Sequence, residues 1–296
     1  MFRKILCPTD FSPAARNAVR AAASLADHDD AELVLLHAWF VPTSSYTGTF
    51  VLSGDVATTV RDGAVRELAT AALEAARAGA RKVTTRLVRG VADVAITDAL
   101  ADEAFDLCVM GTRGRTGMSR LLVGSVAEKV LRTASRPVLT IRPDIPSGHY
   151  RHVLCPIDFS QAADAALEIA RDTVAPGGTL TLVHVLGQPP GTYGMKLASL
   201  TTQFEDEAKQ ALAVRAERIG AAFDVRTRTL YGDPAPEILR LLEHDPSVDL
   251  IAVGSRGRSG LARLVLGSVA EELVRHARAP VLVVRHTARD ADRAAS

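Results

Sequence analysis

The sequence contains the same unit twice, and this duplication limits the folds open to the chain more than any other feature does. The segment ILCPTDFS at residues 5–12 returns as VLCPIDFS at residues 153–160. A glycine-rich segment at residues 111–125 returns, with the same internal spacing, at residues 254–268. Such a repeat predicts two copies of one fold rather than a single large core.

The boundary between the copies is predicted from a short segment rich in proline and glycine. Residues 143–150, PDIPSGHY, separate the end of the first copy from the start of the second. This composition is typical of linkers, because it disfavours both helix and strand. We therefore predict two domains, residues 1–145 and residues 146–296.

Within the first copy, short runs of β-branched and aliphatic residues alternate with longer alanine-rich runs. Strands are predicted at residues 3–9, 32–38, 82–88, 107–110 and 137–141, and helices from Ser12-Pro13 onward and at residues 55–79, 92–103 and 125–133. Nearly continuous apolar strands, such as residues 33–36 and 250–253, indicate burial on both faces. The chain is therefore predicted to be an α/β protein with two tandem open parallel five-stranded sheets and helices on both faces.

Charge and composition limit the kinds of partner. Lys and Arg number 35 against 34 Asp and Glu, so the net charge is only +1 and no strongly basic surface for nucleic acid is expected. No apolar run has the length of a membrane span, and the first residues lack the apolar core of a signal peptide. The three cysteines lie in apolar runs without metal or redox spacing. We expect a cytoplasmic protein with buried thiols that binds neither nucleic acid nor membrane.

The glycine-rich segments have the residues that a phosphate-binding loop needs. Gly111 and Gly114 are followed, after nine residues, by Gly124-Ser125 and a helical run. Glycine lets the backbone approach a ligand, and a helix start offers free amides. A tight turn with a serine N-cap would need the same residues, but two copies at one spacing favour phosphate binding. Neither copy has the P-loop or the Gly-x-Gly-x-x-Gly pattern, which disfavours motor-type ATPases and nicotinamide dehydrogenases.

The ends of the predicted strands supply further candidates, because open parallel sheets bind ligands at the carboxyl ends of their strands. Asp10 and Asp158 follow the first strand of each copy. Each carboxylate could accept hydrogen bonds from a ribose or a base, but Asp-Phe-Ser is equally a turn and helix cap. His37 and His184 end apolar strands, where a hydrogen-bonded core histidine is commoner than a catalytic base, so no catalytic residue is predicted.

The loops add arginines and one flap. Each glycine-rich loop contains two arginines, Arg113 and Arg115 in the first half and Arg256 and Arg258 in the second. These arginines either neutralise phosphate or are solvated loop cations. The polar segment 41–55 follows the second strand and is predicted to be a flap over the site. Its counterpart, residues 187–194, is shorter and contains two prolines, so access to the two sites is predicted to differ.

Pro-Thr-Asp10-Phe-Ser, Leu-Leu-His37 and Met-Gly111-x-x-Gly114-x9-Gly124-Ser125 together resemble a universal stress protein domain of the ATP-binding subclass. The whole chain resembles a tandem member of that family. The resemblance implies a Rossmann-like sheet of order 3-2-1-4-5 in each half, similar to the adenine nucleotide alpha hydrolase fold, with ATP across strands one and four. It also implies pairing of domains through their last strands, residues 138–141 and 281–284, within the chain or in a homodimer.

The resemblance further implies which residues bind the cofactor ATP, together with Mg²⁺. Asp10 would face the ribose or adenine, and the glycine segment would surround the phosphates. The implied residues of the first half are Pro8, Thr9, Asp10, Met110, Gly111, Arg113, Gly114, Gly124, Ser125 and Val126. Those of the second half are Pro156, Ile157, Asp158, Val253, Gly254, Arg256, Gly257, Gly267, Ser268 and Val269. The second half thus has Ile157 for Thr9 and Val253 for Met110, two changes that leave binding expected in both halves.

The function expected from these residues is ATP-dependent regulation in a stress response, in which nucleotide occupancy changes the binding of an unidentified protein partner. A slow ATP hydrolase is a second hypothesis, although Asp10 and Asp158 are its only placed general bases and are better suited to holding ribose. An interaction scaffold with vestigial nucleotide sites is a third.

Overall fold

A computed structural model describes residues 1–40, 54–102, 104–112, 123–142, 150–187, 198–220, 222–257 and 266–285. The chain divides into two units, Met1–Gly148 and His149–Ser296. Several predicted features lie outside the described residues: most of the flap and of its counterpart, most of the linker, Arg113, Gly114 and the arginines at 115 and 258.

The first unit alternates strands and helices as predicted. Its elements are β1 (Lys4–Pro8), α1 (Pro13–Asp29), β2 (Glu32–Trp39), α2 (Gly54–Arg77), β3 (Lys82–Arg89), α3 (Ala92–Asp102), β4 (Leu107–Gly111), α4 (Ser125–Thr133) and β5 (Val138–Ile141). The strands pair in parallel in the order β3-β2-β1-β4-β5. The fold class and strand order expected for this unit are confirmed.

The second unit repeats this arrangement. Its elements are β6 (Tyr150–Pro156), α5 (Gln161–Thr173), β7 (Val174–Leu186), α6 (Ala198–Ile219), β8 (Asp224–Tyr231), α7 (Pro234–His244), β9 (Leu250–Gly254), α8 (Ser268–His276) and β10 (Val281–Val284). The order is β8-β7-β6-β9-β10, again parallel throughout. The one irregularity among these described pairs is a register shift between Tyr150 and His152, where β7 begins directly after α5.

Burial follows the position of each strand in its sheet. The central strands β1 and β4 are almost wholly buried because helices cover both faces. The edge strands β3 and β8 have only exposed and half-buried positions, which matches their polar sequences. Helix α1 packs against the sheet through alanines, and small side chains bring its backbone close to the strand ends.

The cysteines are part of these cores. Cys7, Cys108 and Cys155 are free and buried, as expected. Burial raises the pKa of each thiol well above its ordinary value, so all three stay protonated and unreactive. Among the described helices, none has both the length and the hydropathy of a membrane span.

Candidate functional site

Each unit has a cavity where the carboxyl ends of its first, second and fourth strands meet. The cavity volume is about 320 Å³ in the first unit and about 270 Å³ in the second. Because β1 pairs with both β2 and β4, the loops that follow these strands meet at one edge of the sheet. Asp10 and Gly111, which are far apart in sequence, therefore line the same cavity.

The structure brings together every predicted site residue that it describes. In the first unit the cavity is lined by Pro8, Thr9, Asp10, Met110, Gly111, Gly124, Ser125 and Val126. In the second it is lined by Pro156, Ile157, Asp158, Val253, Gly254, Arg256, Gly257, Gly267, Ser268 and Val269. Arg113 and Gly114 are the two predicted residues that lie outside the described part of the chain.

One wall of each cavity was missed by sequence reasoning. It is formed by the end of the second strand of each unit and by the start of the unit's third helix, α3 or α7. The residues are Leu36, Ala38, Ala92 and Ile96 in the first unit, and Val183, Val185, Pro234 and Ile238 in the second. The strand-end rule could have found the strand residues. The helix residues had no local signal, because their place depends on how α3 and α7 pack over the sheet.

Helices α4 and α8 begin at the cavity without a side-chain cap. Their N-cap residues are Gly124 and Gly267, both in extended backbone conformation. The Gly124 amide donates to the Thr112 carbonyl at 2.7 Å, and the Gly267 amide donates to the Ser255 carbonyl at 2.8 Å, which ties each helix start to a strand end. The alternative in which Ser125 is the N-cap is therefore wrong, since Ser125 is the first helical residue. The first-turn amides and the positive helix end lie at the cavity wall.

The first glycine of each motif is required by helix packing. A Cβ atom built on Gly111 would lie 2.9 Å from the carbonyl carbon of Ala14 in α1. A Cβ atom on Gly254 would lie 2.7 Å from that of Ala162 in α5. Real Cβ atoms do not come so close to backbone, so any other residue would push the helix away from the strand end. These glycines position the helix that follows Asp10 or Asp158.

The Asp-Phe-Ser turn has the structural role that the sequence left open. Asp10 Oδ1 accepts from the Ser12 amide at 3.1 Å, and Asp158 Oδ1 accepts from the Ser160 amide at 3.1 Å. The phenylalanine between each aspartate and its serine, Phe11 or Phe159, has a φ of 65°. This left-handed conformation costs energy for such a residue. Each serine then caps its helix, α1 or α5. The aspartates hold this turn and also line the cavity.

In the second unit the aspartate also touches the glycine loop. A Cβ atom built on Gly257 would lie 2.7 Å from Asp158 Oδ2. The absence of a side chain at Gly257 therefore leaves room for the carboxylate. Asp158 and Gly257 therefore lie next to each other where both line the cavity.

The two histidines are held by backbone hydrogen bonds, as expected. His37 Nδ1 donates to the Thr9 carbonyl at 2.7 Å, and His184 Nδ1 donates to the Ile157 carbonyl at 2.6 Å. A carbonyl oxygen only accepts, so the proton lies on Nδ1 in both rings. Each ring also packs on the phenylalanine of the Asp-Phe-Ser turn, with centroids 4.5 Å and 4.4 Å apart. Both histidines line their cavities.

Comparison with known proteins agrees with this architecture. The model of the universal stress protein family matches residues 1–142 and, separately, residues 149–285. The chain belongs to the universal stress protein family. Among family members, universal stress protein Rv2623 of Mycobacterium tuberculosis is 29% identical over 299 residues, covering 96% of both chains. Universal stress protein Rv2005c of the same organism is 31% identical over 194 residues, and this match spans only 64% of that relative's length.

A solved structure gives the same result for the fold. The crystal structure of a universal stress protein from Archaeoglobus fulgidus superposes with a TM-score of 0.69 at 25% identity, covering 96% of this chain and 98% of that one. The fold is therefore shared over nearly the full length of both chains.

Proposed function

We propose that this universal stress protein binds ATP, accompanied by Mg²⁺, in the cavity of each unit, and that occupancy regulates its binding to a protein partner. The observation that carries the proposal is the glycine-capped start of α4 and α8 at the cavity wall. A helix start without a side-chain cap leaves first-turn amides available, and its positive end attracts phosphate.

The surrounding groups support a phosphate chain. The hydroxyl groups of Ser125 and Ser268 belong to residues that line the cavities, and Arg256 adds a cation in the second unit. In the first unit the Thr112 side chain is buried, and its Oγ1 has no hydrogen-bond partner among the described residues. A buried hydroxyl left without a partner is costly, and a phosphate oxygen would satisfy it. Mg²⁺ would be held mainly by the phosphate oxygens.

The remaining walls suit a nucleoside. Leu36 and Ile96 are buried apolar residues on one wall of the first cavity, suited to the face of a base. Asp10 offers a carboxylate to ribose hydroxyls or a base amino group. The second cavity has Val183 and Ile238 at the same places, with Asp158 as the carboxylate.

A regulatory role is proposed ahead of catalysis because the two carboxylates at the cavities are used as acceptors within the Asp-Phe-Ser turn. Asp10 Oδ1 accepts from the Ser12 amide, and Asp158 Oδ1 accepts from the Ser160 amide and hydroxyl. A general base has to be available to the proton that it removes. We propose that nucleotide occupancy changes partner binding by changing how domains pair. The pairing would use β5 and β10, either within one chain or between two chains.

The test removes one amide from the helix start. Proline is well tolerated at the first position of a helix, so Ser125→Pro deletes an N–H group and a hydroxyl while α4 can still form. Ser125→Ala deletes the hydroxyl alone. We expect Ser125→Pro to weaken Mg²⁺-ATP binding by about tenfold or more, which is the effect of one charge-assisted hydrogen bond. Ser125→Ala is expected to weaken it less.

The two sites can be read separately. Trp39 is the only tryptophan of the chain and follows Ala38, which lines the first cavity, so its fluorescence reports on the first unit. Calorimetry counts both sites. Ser268→Pro should reduce the stoichiometry without changing the Trp39 signal. The proposal fails if calorimetry of the unmodified protein at millimolar Mg²⁺-ATP detects no binding, or if the proline and alanine variants bind ATP alike.

A further inference from the structure

The second unit has a further cavity on the other flank of its glycine loop. Its volume is about 450 Å³, and it is lined by residues 159–162 at the start of α5, by Arg256 and Gly257 after β9, and by Arg285 after β10. Among the described residues that line it, none is acidic. Arg256 and Gly257 also line the first cavity of this unit, so the two cavities share a wall.

Two arginines line this cavity because the strands that precede them are neighbours. β9 and β10 pair in parallel, so the residues that follow them emerge side by side. Burial lowers the pKa of Arg285, and the nearby positive charge of Arg256 lowers it further. Two cations this close, partly withdrawn from water, favour an anion between them.

The start of α5 adds hydrogen-bond donors. Ser160 Oγ accepts from the Ala163 amide at 3.2 Å, and the Asp164 amide donates to the Ser160 carbonyl at 3.1 Å. The helix uses these two amides and leaves those of Gln161 and Ala162, both at the cavity wall, without a helical acceptor. Asp158, which precedes this helix start, accepts from the Ser160 amide and hydroxyl.

The first unit differs at the decisive position. Where the second unit has Gln161 after its cap, the first has Pro13 as the first residue of α1. Proline has no N–H group, so α1 offers one donor fewer than α5. Arg142 follows β5 as Arg285 follows β10, which makes it a matched control.

We propose that the cavity between Arg256, Arg285 and the start of α5 binds a phosphoryl group. Two sources of that group share this chemistry: free inorganic phosphate, and the terminal phosphate of a nucleotide in the adjoining cavity. The second source rests on the proposed ATP site, and the first does not.

The test is a calorimetric titration of the full chain with inorganic phosphate. We expect Arg285→Ala to weaken phosphate binding by about tenfold or more, and Gln161→Pro, which removes one amide at a position that tolerates proline, to weaken it by several-fold. Arg142→Ala should leave it unchanged. Arg285→Lys keeps the charge without the planar fork and should bind with intermediate affinity. Far-UV circular dichroism of each variant checks folding.

The same titration in the presence of nucleotide separates the sources. If phosphate still binds to protein saturated with ATP, the site takes a free ion. If ATP abolishes phosphate binding and AMP does not, the site takes the terminal phosphate, and Arg285→Ala should weaken ATP binding more than AMP binding.

The inference is overturned if phosphate does not bind and the ratio of ATP to AMP affinity is the same in the Arg285→Ala variant. It is also overturned if Arg285→Ala and Gln161→Pro change neither phosphate affinity nor that ratio. Failure of both nucleotides to bind would refute the proposed function alone, since the phosphate titration without nucleotide would still decide this inference.

Discussion

The two cavities of this protein are alike where a phosphate would lie and differ around the Asp-Phe-Ser turn. Both have a glycine N-cap followed by serine at the helix start. In the first unit Thr9 Oγ1 accepts from the Phe11 amide at 3.1 Å, and so supports the left-handed residue. Ile157 stands in the place of Thr9 and has no oxygen to accept from Phe159. The phenylalanine of the turn keeps the same φ of 65° in both units, so the turn forms without this hydrogen bond.

The residues just beyond the end of the second strand and before the third helix of each unit, here called the rim, differ as well. In the first unit Phe40 and Val91, which follow β2 and precede α3, are largely exposed. Gly187 and Asp233 stand at these places in the second unit. An apolar rim favours contact with a base, and a glycine with an acidic residue favours it less. Nucleotide affinity is therefore the property in which we expect the sites to diverge.

The largest effects are expected where both units have the same backbone contact. Gly254→Ala should lower the free energy of unfolding by about 1–3 kcal/mol through overpacking against α5. Gly111→Ala should cost somewhat less, because its Cβ would lie 2.9 Å rather than 2.7 Å from the helix backbone. Urea unfolding measures both, with Trp39 fluorescence for the first unit and circular dichroism for the whole chain.

Gly63→Ala in α2 is the matched control for these two variants. No heavy atom lies within 4 Å of its built Cβ, so alanine there should be neutral or stabilising. Equal stability of all three alanine variants would contradict the packing role of the motif glycines.

The next effect concerns the second unit alone. Gly257→Ala should displace the Asp158 carboxylate and weaken ATP binding there by about tenfold, with no change in the Trp39 signal of the first unit. Calorimetry measures it. If the substitution acts through the carboxylate, Asp158→Ala should remove the effect of adding Gly257→Ala. Additive losses in the double variant would show that the two residues act separately.

A smaller effect is expected from exchanging the turn residues. Thr9→Val keeps the shape but leaves the Phe11 amide without its acceptor, so unfolding of the first unit should become easier by about 1 kcal/mol. Ile157→Thr supplies the missing acceptor and should make the second turn resemble the first. Urea midpoints report both changes. A stable Thr9→Val variant with unchanged ATP affinity would mean that this difference between the units has no energetic consequence.

The smallest effect is a pH dependence confined to the second unit. His152 is buried, with Nδ1 bonded to Ser247 and Nε2 to Thr181, whereas the first unit has Lys4 at this place. Burial lowers the pKa of His152, so folding favours the neutral ring. The contribution of neutral His152 to the stability of the folded state is complete above the ordinary histidine pKa of about 6.5. It is lost as the pH falls toward the lowered pKa of the folded state.

Urea unfolding at a series of pH values between neutral and mildly acidic measures this dependence. On acidification, the His152→Gln variant should lose less stability than the unmodified protein does. The Trp39 transition of the first unit serves as the internal reference. An identical pH profile for the variant would exclude His152 as its cause.

Much of the candidate site was predictable because its signals are local. Asp10 was placed at a strand end by the hydropathy of residues around it, and the strand-end rule then put it near the glycine segment. The role of Gly111 was not predictable. Its requirement comes from the backbone of α1, almost a hundred residues earlier in the chain, and only packing brings the two together. The same holds for Arg285, whose closeness to Arg256 depends on the pairing of β9 with β10.

The sequence by itself determined the duplication, the alternation of strands and helices, and the chemistry available at the strand ends, because periodicity and turn residues act over a few positions. The tertiary structure alone decided that Gly124 rather than Ser125 caps α4, and that α3 and α7 close one wall of each cavity. It also decided that Arg256 and Arg285 share a further cavity in the second unit. These features are distances between segments remote in sequence, and such distances are set by how helices pack on a sheet.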